Sequence, residues 1–261
     1  MILAKENRRI KMFYHEFEHN LQKYNDPTEY DNLYANYQDD LHYIQDYIGT
    51  KKEPIIELAC GTGRIAIPLA ARGIPVFGVD LHEGMIQHAI EKASKRGVQI
   101  QFSLQDCTQL QLPITTNFIY MTGNSFQHFL TNESQNALLQ SVKKHLQPGG
   151  EFLFDTRNAI LNELSAIDEY KEQTITSNGE NRKTFHREEY NPVTQILTCR
   201  AVHQQGQQTF EDAILLRYTY PMEMTRLLQQ NGFELKHLYG SWQRSEFHAL
   251  SPSMVVHARL L

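Results

Sequence analysis

The segment Glu57-Leu58-Ala59-Cys60-Gly61-Thr62-Gly63 puts a carboxylate and two glycines directly after a short apolar run. Glycines placed there let the backbone turn sharply and let a ligand lie against bare main chain. Asp80 closes the following apolar run, about twenty residues on, where an acidic side chain suits a ribose diol. Asp106, in Leu104-Gln105-Asp106-Cys107, adds an acceptor suited to an adenine amino group. The three together imply an adenosine-type cofactor. Gly61-Thr62-Gly63-Arg64-Ile65-Ala66 also fits the dinucleotide fingerprint G-x-G-x-x-A, so an NAD(P)-dependent oxidoreductase stays open as an alternative. Glu57 weighs against it, because its carboxylate suits a cationic ligand and repels a pyrophosphate. A cofactor-binding protein without catalysis is the third reading.

Elements must hold these residues in place. Short apolar runs at 54–58, 76–80, 100–104, 118–121 and 152–154 read as strands, with helices at 65–71 and through Met85, Ile86 and Ala89. Strands and helices alternating at this spacing predict a mostly parallel sheet with right-handed crossovers. Gln147-Pro148-Gly149-Gly150 reads as a tight turn before the fifth strand. Ahead of this core, residues 5–24 and 30–48 read as helices, forming a helical lid. After Asp155 the rhythm is lost. Residues 159–183 read as a helix followed by a polar loop, and 184–190, 194–204 and 208–220 as strands of an antiparallel insertion. A helix at 221–230 and one or two strands close the chain. The expected organisation is a cap over 1–48, a cofactor-binding core over 49–158, an insertion over 159–220, and a segment over 221–261 that completes the core.

Composition narrows the function classes. The chain has 261 residues, a formal net charge of -5 and three cysteines. A net negative charge disfavours extended nucleic acid as a partner, and three scattered cysteines make neither a disulfide framework nor a four-thiolate metal site. Mean hydropathy is -0.50. No apolar run approaches the ~20 residues of a membrane span, and charges occupy the N-terminus where a secretory signal needs its apolar segment. The expectation is a cytoplasmic protein acting on a small molecule, with no membrane or nucleic-acid partner and room for homo-oligomerisation. His15-Glu16-Phe17-Glu18-His19 matches the H-E-x-x-H zinc signature literally. It precedes every predicted strand and has no evident third ligand, so no metal is expected.

With Glu57 through Gly63, Val79-Asp80, Met85, Ala89, Asp106 and Pro148-Gly149-Gly150 in place, the sequence resembles the class I S-adenosylmethionine-dependent methyltransferases. The resemblance runs from about residue 30 to 157 and more loosely beyond. It implies a Rossmann-like α/β fold with a seven-stranded sheet whose last strand is antiparallel. S-adenosyl-L-methionine would be the cofactor and S-adenosyl-L-homocysteine the product. Carried over by position, Glu57 and Gly61 face the methionine portion and Asp80 the ribose. Asp106 and Cys107 meet the adenine amino group, and Leu81 and Met85 pack on the ring. Tyr30, Ala59, Gly63 and Thr122 complete the expected cofactor-binding set. Ala59 stands where many members have a third glycine.

The acceptor is read from the segment after the fourth strand. Thr122-Gly123-Asn124-Ser125-Phe126-Gln127-His128-Phe129 lacks the Asn/Asp-Pro-Pro-aromatic motif of DNA and protein-amine methylases, and no Pro-Cys pair serves a cytosine-carbon methylase. Together with Asp155-Thr156-Arg157-Asn158, it resembles the glycine and sarcosine N-methyltransferases. That implies Asn124 positioning the acceptor and Arg157 clamping its carboxylate, a task guanidinium geometry suits. Leu216-Arg217-Tyr218-Thr219-Tyr220-Pro221 resembles the same enzymes more loosely and makes Tyr218 and Tyr220 substrate-side candidates. The arginine that glycine methylases carry after their N-terminal tyrosine motif is absent from Ala35-Asn36-Tyr37-Gln38. The expected activity is therefore methyl transfer to an amine nitrogen of a small molecule. His128 is the candidate catalytic base, because it lies just after the fourth strand and imidazole titrates near neutrality.

Overall fold

The structure is a computed structural model and describes residues 20–160, 164, 167–176 and 179–261. Strand β1 (Ile55–Leu58) is wholly buried and pairs in parallel with β2 (Val76–Asp80) on one side and β4 (Thr116–Met121) on the other. With β3 (Gln101–Leu104), β5 (Leu146–Arg157), β10 (Phe233–Tyr239) and β11 (Ser253–Leu260), they form a seven-stranded sheet. Its order is β10-β11-β5-β4-β1-β2-β3. Only β11 runs against its neighbours, pairing antiparallel with both β5 and β10. The expected sheet is therefore present. Chain order reverses between β1 and β4, and an open α/β sheet forms its ligand crevice at such a switch point, at the carboxyl ends of the strands.

Helices cover both faces. Two short helices, α1 (Pro27–Leu33) and α2 (Asp39–Ile48), precede the sheet. Helix α3 (Ala66–Ala71) follows β1, and α4 (Glu83–Lys95) follows β2. Helix α5 (Asn132–His145) links β4 to β5, with Thr131 and Ser134 forming a capping box at its start. Helix α6 (Pro221–Gln230) precedes β10. One core layer joins β1, β4 and β5 to α5 and α6 through Leu58, Met121, Leu139, Phe154 and Leu228. The opposite layer packs Ile44, Ile65, Leu69 and Tyr120.

Between β5 and α6, the strands β6 (Asp168–Ile175), β7 (Asn181–Asn191), β8 (Ile196–Gln205) and β9 (Gln208–Arg217) make a separate antiparallel sheet in that order. The insertion was expected, but its first strand was not, since 159–183 read as helix and loop. All eight residues of β6 are exposed, so the strand carries no apolar alternation. Cross-strand partners hold it instead: Tyr170 stacks on His186 at 4.4 Å between centroids, and Glu169 pairs with Arg187.

Three further expectations change. The 30–48 helix is broken into α1 and α2, because Arg64 takes the Tyr37 carbonyl and the Asp40 carboxylate and holds the intervening turn. Of the 5–24 helix, residues 22–24 form a 3-10 turn, while residues 5–19, with the H-E-x-x-H motif, lie outside the described residues. Pro148-Gly149-Gly150 is a bulge within β5 and not a turn before it: β4 advances from Thr116 to Phe118 while β5 advances from Leu146 to Glu151.

Phe126 comes just after β4, is fully buried and stacks on Phe154 at 4.8 Å. It pins the segment that carries Asn124 and His128. Phe126→Ala is expected to cost about 3–5 kcal/mol in urea denaturation, as truncations of buried aromatics do.

Candidate active site

The turn after β1 runs through left-handed backbone. Ala59, Gly61 and Gly63 all have positive φ, at 52°, 53° and 73°. The first carries a side chain into the left-handed region, where an alanine costs about 1–2 kcal/mol. Gly63 serves packing: a Cβ there would meet the Ile67 side chain at 3.1 Å. Gly61 N–H donates to Asp80 Oδ2 at 2.7 Å, and His82 N–H donates to Asp80 Oδ1 at 2.8 Å. Asp80 thus locks the turn onto β2 while its carboxylate stays on the wall of a cavity.

That cavity, about 140 Å³, lies at the carboxyl ends of β1 to β4. Ala59, Gly61, Asp80, Leu81, Met85, Asp106 and Cys107 line it, together with Tyr30 from α1. The expected cofactor residues are thereby brought together, except Glu57, Gly63 and Thr122. Thr122 is buried beside it, its carbonyl accepting from Ser125 N–H and Oγ. Asp106 caps the turn after β3, with Oδ1 accepting from Thr108 N–H and Oγ. The cover is formed by Leu21, Tyr24 and Tyr34.

Glu57 sits behind the turn, 3% exposed, with Oε2 buried and without a hydrogen-bond partner. Burial pushes its carboxyl up to about 8, against the nearby Tyr120 hydroxyl and Arg64 guanidinium, which lower it. An orphaned carboxylate oxygen of this kind fits a cationic amino group. Burial likewise raises Asp80. Arg64 arrives from the glycine turn and forks onto Asp40, with Nη1–Oδ1 at 2.9 Å and Nη2–Oδ2 at 2.5 Å. The cavity lining therefore fits the nucleoside end of S-adenosylmethionine through Asp80, Leu81, Met85 and Asp106, while Glu57 lies behind the turn.

A second cleft, about 690 Å³, opens between α1, the β4–α5 connection and the inserted sheet. It shares Tyr24, Tyr30, Tyr34, Gly123 and His128 with the first cavity, so these residues form a throat where the two spaces meet. Asn124 and Arg157 line this cleft, as do Lys23 and Gln127, which sequence reasoning passed over. Asn124 has φ 58°, a left-handed conformation asparagine tolerates, and its N–H donates to Asp155 Oδ1 at 2.9 Å. Burial pushes Asp155 up to about 7. Asn158, the last residue of the D-x-R-N match, donates to the carbonyls of Ala249 and Ser251 and anchors the loop before β11. Tyr218 and Tyr220 line neither space. Tyr218 is buried edge-on against Tyr190, and Tyr220 shares a hydroxyl contact with Tyr190 at 3.2 Å while capping α6.

His128 does not have the geometry of a base. The Asn20 side-chain amide pairs with both the N–H and the C=O of Leu215, which fixes Nδ2 as the atom facing His128 Nδ1 at 3.2 Å. Nδ1 is therefore an acceptor, and the proton of the neutral ring resides on Nε2, which donates to Tyr24 Oη at 2.9 Å. Burial, aided by Lys23, lowers the ring to about 4, so it stays neutral at ordinary pH with both nitrogens engaged. The Tyr24 hydroxyl proton is then free to point into the throat.

The buried Glu57 gives a stability signature. Its carboxyl titrates higher in the folded chain than in the unfolded one, where it is near 4.5, so the folded state binds more protons between pH 4.5 and 8. Stability should fall across that window by up to about 1.4 kcal/mol per pH unit. Glu57→Gln should flatten the decline, raise Tm at pH 8 and weaken adenosylhomocysteine binding. Calorimetry and titration on both proteins check all three.

Comparison with known proteins agrees with this geometry. A family model described as a methyltransferase domain matches residues 55–150. A putative methyltransferase of Geobacillus sp. (strain WCH70) is 29% identical over 48% of this chain and 49% of its own length. A ubiquinone biosynthesis O-methyltransferase of Coxiella burnetii is 26% identical over 45% of this chain and 49% of its own. The chain spans about half the length of these curated relatives. Among solved structures, an S-adenosylmethionine-dependent methyltransferase from Clostridium acetobutylicum superposes with a TM-score of 0.77 at 16% identity, covering 88% of this chain and 96% of its own. A sugar N-methyltransferase from Streptoalloteichus sp. superposes at 0.68 and 15% identity, covering 87% and 91%. Residues 55–150 thus match a methyltransferase domain, and the sheet order is that of the S-adenosylmethionine-dependent methyltransferase fold.

Proposed function

We propose that this chain transfers a methyl group from S-adenosylmethionine to an amine nitrogen of a small molecule. The observation that carries the reading is the throat: a nucleoside-type cavity and a wider cleft meet at Tyr24, Tyr30, Tyr34, Gly123 and His128. When bound, the cofactor supplies an electrophilic methyl on a sulfonium with a good leaving group. The protein's work is then to exclude water and align the acceptor. Glu57 holds the cofactor's amino group, Asp80 the ribose hydroxyls, and Leu81 and Met85 flank the adenine. Tyr24 offers its hydroxyl proton at the throat, oriented by neutral His128. No side chain here needs to act as base, since an amine that has shed its proton to water is already nucleophilic.

Asp26, Glu29, Glu211 and Asp212 also line the cleft, and Arg157 is its candidate site for an anionic group on the acceptor. It makes no ion pair or hydrogen bond among the described residues, and it lies in the cleft with Lys23. A free guanidinium beside the acceptor favours a molecule that carries a carboxylate or another anionic group. That supports the resemblance to amino-acid methylases, while the roughly 690 Å³ of the cleft admits acceptors larger than glycine.

The test is a panel of small amines, with and without acidic groups, incubated with S-adenosylmethionine and read by product mass. Methylated amine and adenosylhomocysteine in equal amounts are the expected products. Cofactor binding with no turnover across the panel would favour the non-catalytic reading. Arg157→Ala should raise KM for acid-bearing acceptors about tenfold or more, the cost of one charge-assisted contact, and leave neutral amines nearly unchanged. Equal losses for both would make Arg157 structural.

A further inference from the structure

Gln127 is fully buried, yet its Oε1 has no hydrogen-bond partner, and the residue lines the acceptor cleft. The orientation of its amide is set from the other end. Nε2 faces the Arg217 carbonyl at 3.4 Å, and the same amide contacts the Tyr218 hydroxyl. A buried acceptor left unpaired costs about 1–3 kcal/mol, a penalty that a ligand donor removes. Asn124 Oδ1 is the second such atom in the same wall, also buried and also without a partner.

The backbone brings the two together. Gln127 N–H donates to the Asn124 carbonyl at 3.0 Å, within the 3-10 turn Ser125–His128 that Asn124 caps. Asn124 caps this turn from left-handed backbone, and both residues line the same cleft. His128, next in sequence, belongs to the throat itself.

We infer that Gln127 is a specificity-determining residue, and that Gln127 Oε1 and Asn124 Oδ1 together recognise the two N–H groups of a primary amine. This rests on the methyltransferase reading above and narrows its acceptor. A neutral primary amine has two N–H donors and one lone pair. With both donors accepted by the amide oxygens, the lone pair is left to face the throat. A hydroxyl has one proton, satisfies one of the two oxygens and leaves the other orphaned. Neither amide is basic enough to remove that proton, so an alcohol bound here would stay un-ionised. When the nitrogen attacks, the N–C bond forms as the S–C bond breaks. The positive charge moves from sulfur to nitrogen, and the extra proton leaves afterwards to water. The singly methylated product keeps one N–H and gives up one of the two contacts.

The experiment uses the full chain saturated with adenosylhomocysteine and labelled with carbon-13 at glutamine side-chain carbonyls. It is titrated with benzylamine and separately with benzyl alcohol. The Gln127 resonance, identified by its loss in Gln127→Met, should move saturably with the amine. Half-saturation by the alcohol should require roughly tenfold more ligand, the equivalent of one hydrogen bond. Gln127→Met should weaken amine binding by a similar factor, whereas Gln127→Glu, which keeps an acceptor oxygen, should retain it. If Gln127→Met does not fold, Gln127→Glu, which also removes the glutamine signal, assigns the resonance, and the comparison of amine with alcohol on the unmodified chain decides. A Gln127 carbonyl that ignores the amine, or responds equally to both probes, overturns the inference. Failure of adenosylhomocysteine to bind would instead overturn the cofactor reading beneath it.

Discussion

The hydrogen bond from Gly61 N–H to Asp80 ties the turn after one strand to the end of its neighbour. It is short, charge-assisted and partly buried, and it fixes where two parallel strands present their carboxyl ends. Everything at the site is measured from that junction. Ala59 enters the left-handed region to make the turn, Glu57 lies directly behind it, and the sheet reverses order on the other side of β1. The cavity is what remains when the main chain turns away from the switch point and α1 closes over it.

The second constraint is the burial of charge. Glu57 and Asp155 lie at the ends of β1 and β5 with carboxyls pushed up by desolvation, to about 8 and about 7. Glu57 retains an unpartnered oxygen, while Asp155 commits one of its oxygens to the Asn124 amide. A fold optimised for stability alone would not keep a carboxylate like Glu57, so the cost points to a ligand that offsets it. Close by, His128 is held as a neutral ring between an amide donor and a tyrosine oxygen. Burial therefore does opposite things at two places: it leaves one group seeking a cation, and it removes another from acid–base chemistry.

Much of the cofactor half was legible in the sequence, because its residues are anchored to strand ends. A strand followed by a glycine turn carries its own signature, and an acidic residue at each successive strand end needs no knowledge of packing. The acceptor half was less legible. Asn124 and Arg157 stood out by resemblance, but Gln127 has no mark in sequence beyond its i+3 spacing from Asn124. Its importance comes from an unpaired atom, which only packing reveals. His128 misled for the same reason: residue type suggests a base, and only the Asn20 amide, arriving from 108 residues away, shows that its nitrogens are taken. Strand β6 was hidden because exposed polar residues pair by cross-strand contacts and not by burial.

The central claim is that the two spaces meet at one throat and that methyl transfer occurs there. A crystal structure with adenosylhomocysteine tests it most directly, by the position of the ligand sulfur. The account predicts the sulfur at the throat, facing Tyr24 and Gly123, with the ligand's amino group against Glu57 and its ribose on Asp80. A ligand sulfur turned away from the wider cleft, or an amino group remote from Glu57, would contradict it.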